Sequence, residues 1–153
     1  MKYLILLLMA TSIFAKEYIE TDTHYATYDT FAPEVNDSDK KKVSIRLVMP
    51  KQRSNSMAIL MVNTYGEISP EDITVDITFE DESVLKANGL SGSKKDGTFG
   101  IALPNKELWQ LMCKKIMMID FMYNGKQYMY YFNQQVRNKM QYTLHNLFID
   151  NWR

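Results

Sequence analysis

One cysteine, two histidines, six glycines and four prolines in 153 residues leave several chemistries with little to work with. A lone thiol, Cys113, can close no disulfide within the chain, so an apolar core must hold the fold. Metal centres need clustered ligands, and the chain carries no HExxH, no CxxC and no calcium-loop spacing. Asp37 and Asp39 beside Asn36 read as a solvated turn. The serine-hydrolase pattern G-x-S-x-G is missing; Gly89-Leu90-Ser91-Gly92 falls one residue short and reads as plain turn chemistry. Phosphate loops and dinucleotide fingerprints are also absent. Cys113 and His145 are the one cysteine–histidine combination on offer, but Cys113 falls near a helix C-terminus, where the dipole disfavours a thiolate. No catalytic residue, metal or cofactor is expected. The formal net charge is zero, and the only basic run, Lys40-Lys41-Lys42, follows an acidic stretch. Little therefore draws the chain to nucleic acid or to anionic lipid.

What is present begins with MKYLILLLMATSIFA. A positive start at Lys2, an unbroken apolar run over residues 4–10 and small residues at Thr11, Ser12 and Ala15 have the layout of a secretory signal peptide. The run is shorter than the roughly 20 apolar residues a spanning helix needs. Cleavage after Ala15 and a periplasmic or secreted destination are the expectation, with no membrane span in the mature chain. Residues 16–39 are polar and irregular and read as an extended N-terminal segment, with one short strand near Tyr25 to Thr30. Residues 40–153 read as a single β-rich domain.

Inside that domain the hydropathy pattern alternates. Val43, Ile45, Leu47 and Met49 fall on one face of a strand, and Ile73, Val75, Ile77 and Phe79 on one face of another. The run from Met57 to Tyr65 looks apolar enough to be buried on both faces. Phe99, Ile101 and Leu103 alternate after a Gly/Ser-rich loop over residues 89–97. Then the period changes. Leu108, Leu111 and Met112 fit one side of a short helix that Asn105 can cap and that Lys114 and Lys115 close. Val136, Met140, Leu144, Leu147 and Phe148 make a second helical stripe, with Asn133 as its cap. The order predicts a mainly β fold: an antiparallel β-sandwich-like domain with a short helix and a C-terminal amphipathic helix.

The segment FMYNGKQYMYYF, residues 121–132, is a hairpin signal, because Asn-Gly accepts φ > 0 at both turn positions. The turn fixes the register. Tyr123 opposes Lys126, Phe121 opposes Tyr128, Ile119 opposes Tyr130 and Met117 opposes Phe132. These pairs share one nearly apolar face, which belongs in the core. The other face carries Met118, Asp120, Met122, Gln127, Met129 and Tyr131. It either lies under the terminal helix or meets a partner, since thioether-rich surfaces adapt to varied partners. The methionines here lack a nearby histidine, so a soft-metal role gives way to packing in the core.

The stretch from Ser93 to Phe148, with Phe99, Leu108, Leu111, Phe132, Leu144 and Leu147 at its apolar beats, resembles small periplasmic proteins related to invasion-associated locus B and the type VI secretion accessory protein VasI. The likeness is one of rhythm and covers roughly residues 74–148. It implies a non-enzymatic β-sandwich accessory protein of the envelope. From the residues themselves three functions stand open. The first is a non-catalytic binding or accessory protein whose partner is another envelope or secreted protein. The second is an inhibitor or immunity-type factor against an exported enzyme. The third is a hydrolase with a carboxylate site formed in three dimensions, for which Asp76 and Asp120 are the candidates.

Overall fold

The computed structural model describes residues 18–27, 31–35, 43–51, 57–65, 73–90, 97–103 and 105–151. The first fifteen residues, expected to be a leader, residues 36–39, expected to be a turn, the Lys40–Lys42 run and residues 91–96 lie outside the described residues. Among the described residues there are ten strands: β1 (Tyr18–Glu20), β2 (His24–Thr27), β3 (Glu34–Val35), β4 (Ser44–Pro50), β5 (Ala58–Asn63), β6 (Thr74–Phe79), β7 (Val84–Leu90), β8 (Thr98–Leu103), β9 (Ile116–Tyr123) and β10 (Lys126–Tyr131). Helix α1 (Asn105–Cys113) separates β8 from β9, and α2 (Gln134–Asn151) follows β10. The protein is mainly β and antiparallel throughout, with the short helix and the C-terminal helix where the change of period put them.

All ten strands belong to one sheet, in the order β1-β2-β4-β5-β8-β7-β6-β9-β10-β3. Two features bend it around a common core. Strand β7 pairs with β6 from Val84 to Asn88, but meets β8 only through Asn88, Gly89 and Leu90. Gly89 sits at that corner, where a Cβ would stand 2.5 Å from Ile73 Cγ1 and the Ile73 side chain would have to shift to admit it. Glycine is used where another chain segment approaches this closely. The Gly89-Leu90 step read as loop in the sequence is therefore the end of a strand. The second feature is the segment Phe31–Val35. Phe31 and Ile45 exchange backbone hydrogen bonds of 2.8 and 2.9 Å on β4, while Glu34 and Val35 pair with Tyr131 and Tyr130 on β10. One five-residue stretch thus ties the third strand of the sheet to the ninth, closing a circuit of pairings.

The inward rows are those the alternation implies. Ile45, Leu47 and Met49 of β4, Leu60 and Val62 of β5, Val75, Ile77 and Phe79 of β6, and Phe99, Ile101 and Leu103 of β8 are all buried in one cluster. At about 1.5–3 kcal/mol for each large apolar side chain, this burial is the main stabilising contribution, as a chain without disulfides requires. Strand β5 departs from expectation: its burial alternates, and Met61 is 40% exposed, so it is covered on one face only. Strand β9 also departs. The register shifts between Thr78 and Phe79, so that Phe79 pairs with Ile116 and Thr78 with Met118. The extra residue, Met117, is only half-buried, and Ile116 takes the core place expected of it. Such a bulge is invisible to strict alternation.

Helix α2 starts where its cap predicts. The Asn133 Oδ1 accepts a 3.0 Å hydrogen bond from the Val136 N–H, satisfying a free donor of the first turn. Met140, Leu144, Leu147 and Phe148 are buried in the same cluster as the inward strand rows, with Val136 packed at its margin. The helix therefore packs on the inner side. Its first turn is held by Arg137, which donates from Nε to the Phe132 carbonyl and from Nη1 to Glu80 at 3.3 Å.

Candidate functional site

The hairpin forms as its turn dictates. Asn124 and Gly125 have φ of 48° and 73°, and Tyr123 opposes Lys126, Phe121 opposes Tyr128 and Ile119 opposes Tyr130. The inner face is core. Phe121 stacks on Tyr128 at 5.4 Å between ring centroids and meets Phe99 and Tyr130 edge-on at 5.4 and 5.5 Å.

The outer face gathers all six residues singled out from the sequence. Met122 opposes Gln127, Asp120 opposes Met129 and Met118 opposes Tyr131. On the other side of β9, Asp76 opposes Asp120 and Thr78 opposes Met118. Beyond β6, Lys86 opposes Asp76 and Val84 opposes Thr78. Four strands therefore present a platform of ordered rows. One row reads Lys86, Asp76, Asp120, Met129. The next reads Val84, Thr78, Met118, Tyr131. Met122 is 56% exposed, Val84 52% and Tyr131 42%. Met118 and Met129 are half-buried, as expected in the middle of a sheet, where cross-strand neighbours shade them. Met118, Met122 and Met129, expected in the core, thus belong to the outward rows. The terminal helix packs on the inner side, with Met140, Leu144, Leu147 and Phe148 in the core cluster, and its Arg137 lies 4.9 Å over the Tyr131 ring.

Charge on the platform is unevenly matched. Lys86 Nζ lies 3.2 Å from Asp76. Asp120 accepts a long 3.4 Å hydrogen bond from Gln127 and forms no ion pair among the described residues. Like charges directly opposed across two strands are destabilising. The two aspartates are thus cross-strand partners, but on an outward strand face. Acid–base hydrolysis by a carboxylate pair rests on enclosure of the acid away from water, which an open sheet surface does not give. Among the described residues no group of three or more histidines, cysteines, aspartates or glutamates is placed to hold a metal ion.

A concavity lies between the helices. It is a groove of about 320 Å³ lined by Met112, Lys115, Asn138, Gln141, Tyr142 and His145. Sequence reasoning considered His145 only beside Cys113 and missed the groove. The available signal was the spacing of Asn138, Gln141, Tyr142 and His145, which share one stripe of α2. Cys113 is exposed at the end of α1 and is not part of that lining. His24 is exposed too, with Nδ1 2.7 Å from the Thr23 hydroxyl. Lys114 does more than close α1. Its Nζ bonds Asp81 at 2.8 Å and the Ser83 hydroxyl at 2.7 Å, pinning the β6–β7 turn.

Comparison of the chain with family models, with curated proteins and with solved structures finds no match. Among the described residues no helix is long and apolar enough to cross a membrane.

Proposed function

We propose that the protein is an exported, non-catalytic binding or accessory protein of the bacterial cell envelope, working by protein–protein contact through the outer face of β7, β6, β9 and β10. One observation carries this reading: a regular four-strand platform leaves Val84, Met122 and Tyr131 in water although the chain has an amphipathic helix to cover a sheet. Exposed apolar side chains grouped on one face mark interaction surfaces more often than scattered ones do. Methionine and tyrosine are also enriched where proteins meet. The leader-like first fifteen residues support export, and the resemblance to envelope accessory proteins of the locus B and VasI type agrees with both parts.

Affinity capture from envelope extract tests the reading. The mature chain is compared with an Asp120→Lys, Met129→Glu double variant of matched thermal stability. Loss of a specific captured protein by the variant is the expected result. Equal capture by both would overturn the face as the contact. If the captured protein is an enzyme that loses activity when bound, the function is inhibition rather than accessory assembly.

A further inference from the structure

The chemistry of the platform defines what would complement it. Asp76 and Asp120 are cross-strand partners at its centre, and Lys86 beside them pairs with Asp76. The other, Asp120, has a neighbour of the same sign and, among the described residues, a long 3.4 Å hydrogen bond from Gln127 but no ion pair. Two residues along in one direction the row is apolar in large part, with Val84, Met118 and Tyr131; in the other, Met122 is the apolar residue and stands opposite Gln127. Rows of a strand face recur about every 6.8 Å, the same interval that separates residues i and i+2 of any extended chain. A cationic side chain that brings its charge to the carboxylates also lays an apolar stem across the thioethers. A guanidinium suits two adjacent carboxylates better than an ammonium, because its planar fork donates in two directions at once.

Resting on the reading of this face as the contact surface, we infer that its partner is a protein segment lying extended along β9 with the pattern apolar–x–arginine–x–apolar. Lysine is the weaker substitute for the arginine. The cation sits over Asp76 and Asp120 and relieves their repulsion. The flanking apolar residues sit on Met122 to one side and on Met118 and Tyr131 to the other.

A displayed library of random twelve-residue peptides, selected on the mature protein, is the probe. Enriched peptides should place arginine or lysine two positions from apolar residues on both sides. Their binding should fall about tenfold or more, roughly 1.4 kcal/mol, on Asp120→Asn, weaken at higher salt, and fall also on Met122→Ser. Asp120→Asn removes a like-charge contact, so its thermal midpoint should not drop, which separates lost recognition from lost folding. Enriched peptides that lack a cation, ignore Asp120→Asn and respond to Met122→Ser would overturn the inference while leaving the face as the contact. Enrichment that ignores both substitutions, or none at all, overturns it as well. Whether the face reading then survives is decided by the capture experiment, which does not depend on the peptide pattern.

Discussion

Two glycines show how differently one residue type can be required. Gly125 has φ of +73° and open space where a Cβ would go. Gly89 lies within β7, and a Cβ there would meet Ile73 Cγ1 at 2.5 Å and its carbonyl oxygen at 3.4 Å. Gly125→Ala should therefore cost about 1–2 kcal/mol through backbone conformation alone. Gly89→Ala should cost about 1–3 kcal/mol through crowding. The two separate in combination with Ile73→Ala, measured by urea unfolding. Removing the Ile73 side chain should recover much of the Gly89→Ala loss and none of the Gly125→Ala loss, because only the first pair is in contact. Additive effects at both positions would show that Ile73 is not what excludes a side chain from position 89. Gly125 was legible in the sequence, since Asn-Gly between alternating apolar runs has few other uses. Gly89 was not: its constraint comes from Ile73, sixteen positions earlier, and no local pattern reports it.

The turn between β6 and β7 is fixed by charge rather than by its own residues alone. Glu82 adopts a φ of 64° there, a conformation that needs support in a residue other than glycine. The Asp81 carboxylate takes hydrogen bonds from Lys114 and from the Ser83 hydroxyl and N–H, which hold its pKa down at about 2. For Glu80, burial pushes the pKa up, but hydrogen bonds from Gln134 and Arg137 with the charges of Lys115 and Arg137 outweigh it and leave it lowered. Both groups bind a proton more weakly when folded than when unfolded, so the stability they contribute is present above the ordinary carboxylate range, near pH 4. It is lost as the pH falls toward about 2. Lys114→Met removes the largest cause at Asp81. Its urea midpoint should lie below that of the parent at neutral pH, with the gap closing between about pH 4 and 2 as Asp81 protonates in both. Parallel curves through that window would remove Lys114 from the account. The sequence placed Lys114 and Lys115 at the helix end for the sake of its dipole. Their pairing with a turn over thirty residues away is a tertiary fact with no local trace.

At the scale of the whole molecule, what each strand buries was readable and what each strand pairs with was mostly not. Alternation follows from the pleat, so the inward rows of β4, β6 and β8 could be named residue by residue. Hairpin register follows from a two-residue turn, so β9 and β10 could be aligned. The pairings β5 with β8 and β6 with β9 join distant segments, and the circuit closes through a stretch whose sequence, FAPEV, has no strand signature. That closure makes the least regular part of the chain a determinant of the fold. Phe31 is 3% exposed, and its backbone is bonded to Ile45 while its neighbours Glu34 and Val35 are paired with β10. Phe31→Ala should cost about 3–5 kcal/mol, as large-to-small changes in a core do. If the five-residue tie opens as one unit, the variant should lose hydrogen-exchange protection at the Ile45 amide and at the β10 amides opposite Glu34 and Val35 together. Amides shared by β6 and β9 should slow-exchange as before, once the global loss of stability is subtracted. Acceleration at Ile45 alone would mean that β3 holds its edge of the sheet independently of Phe31, and that the two halves of the tie are separate contacts.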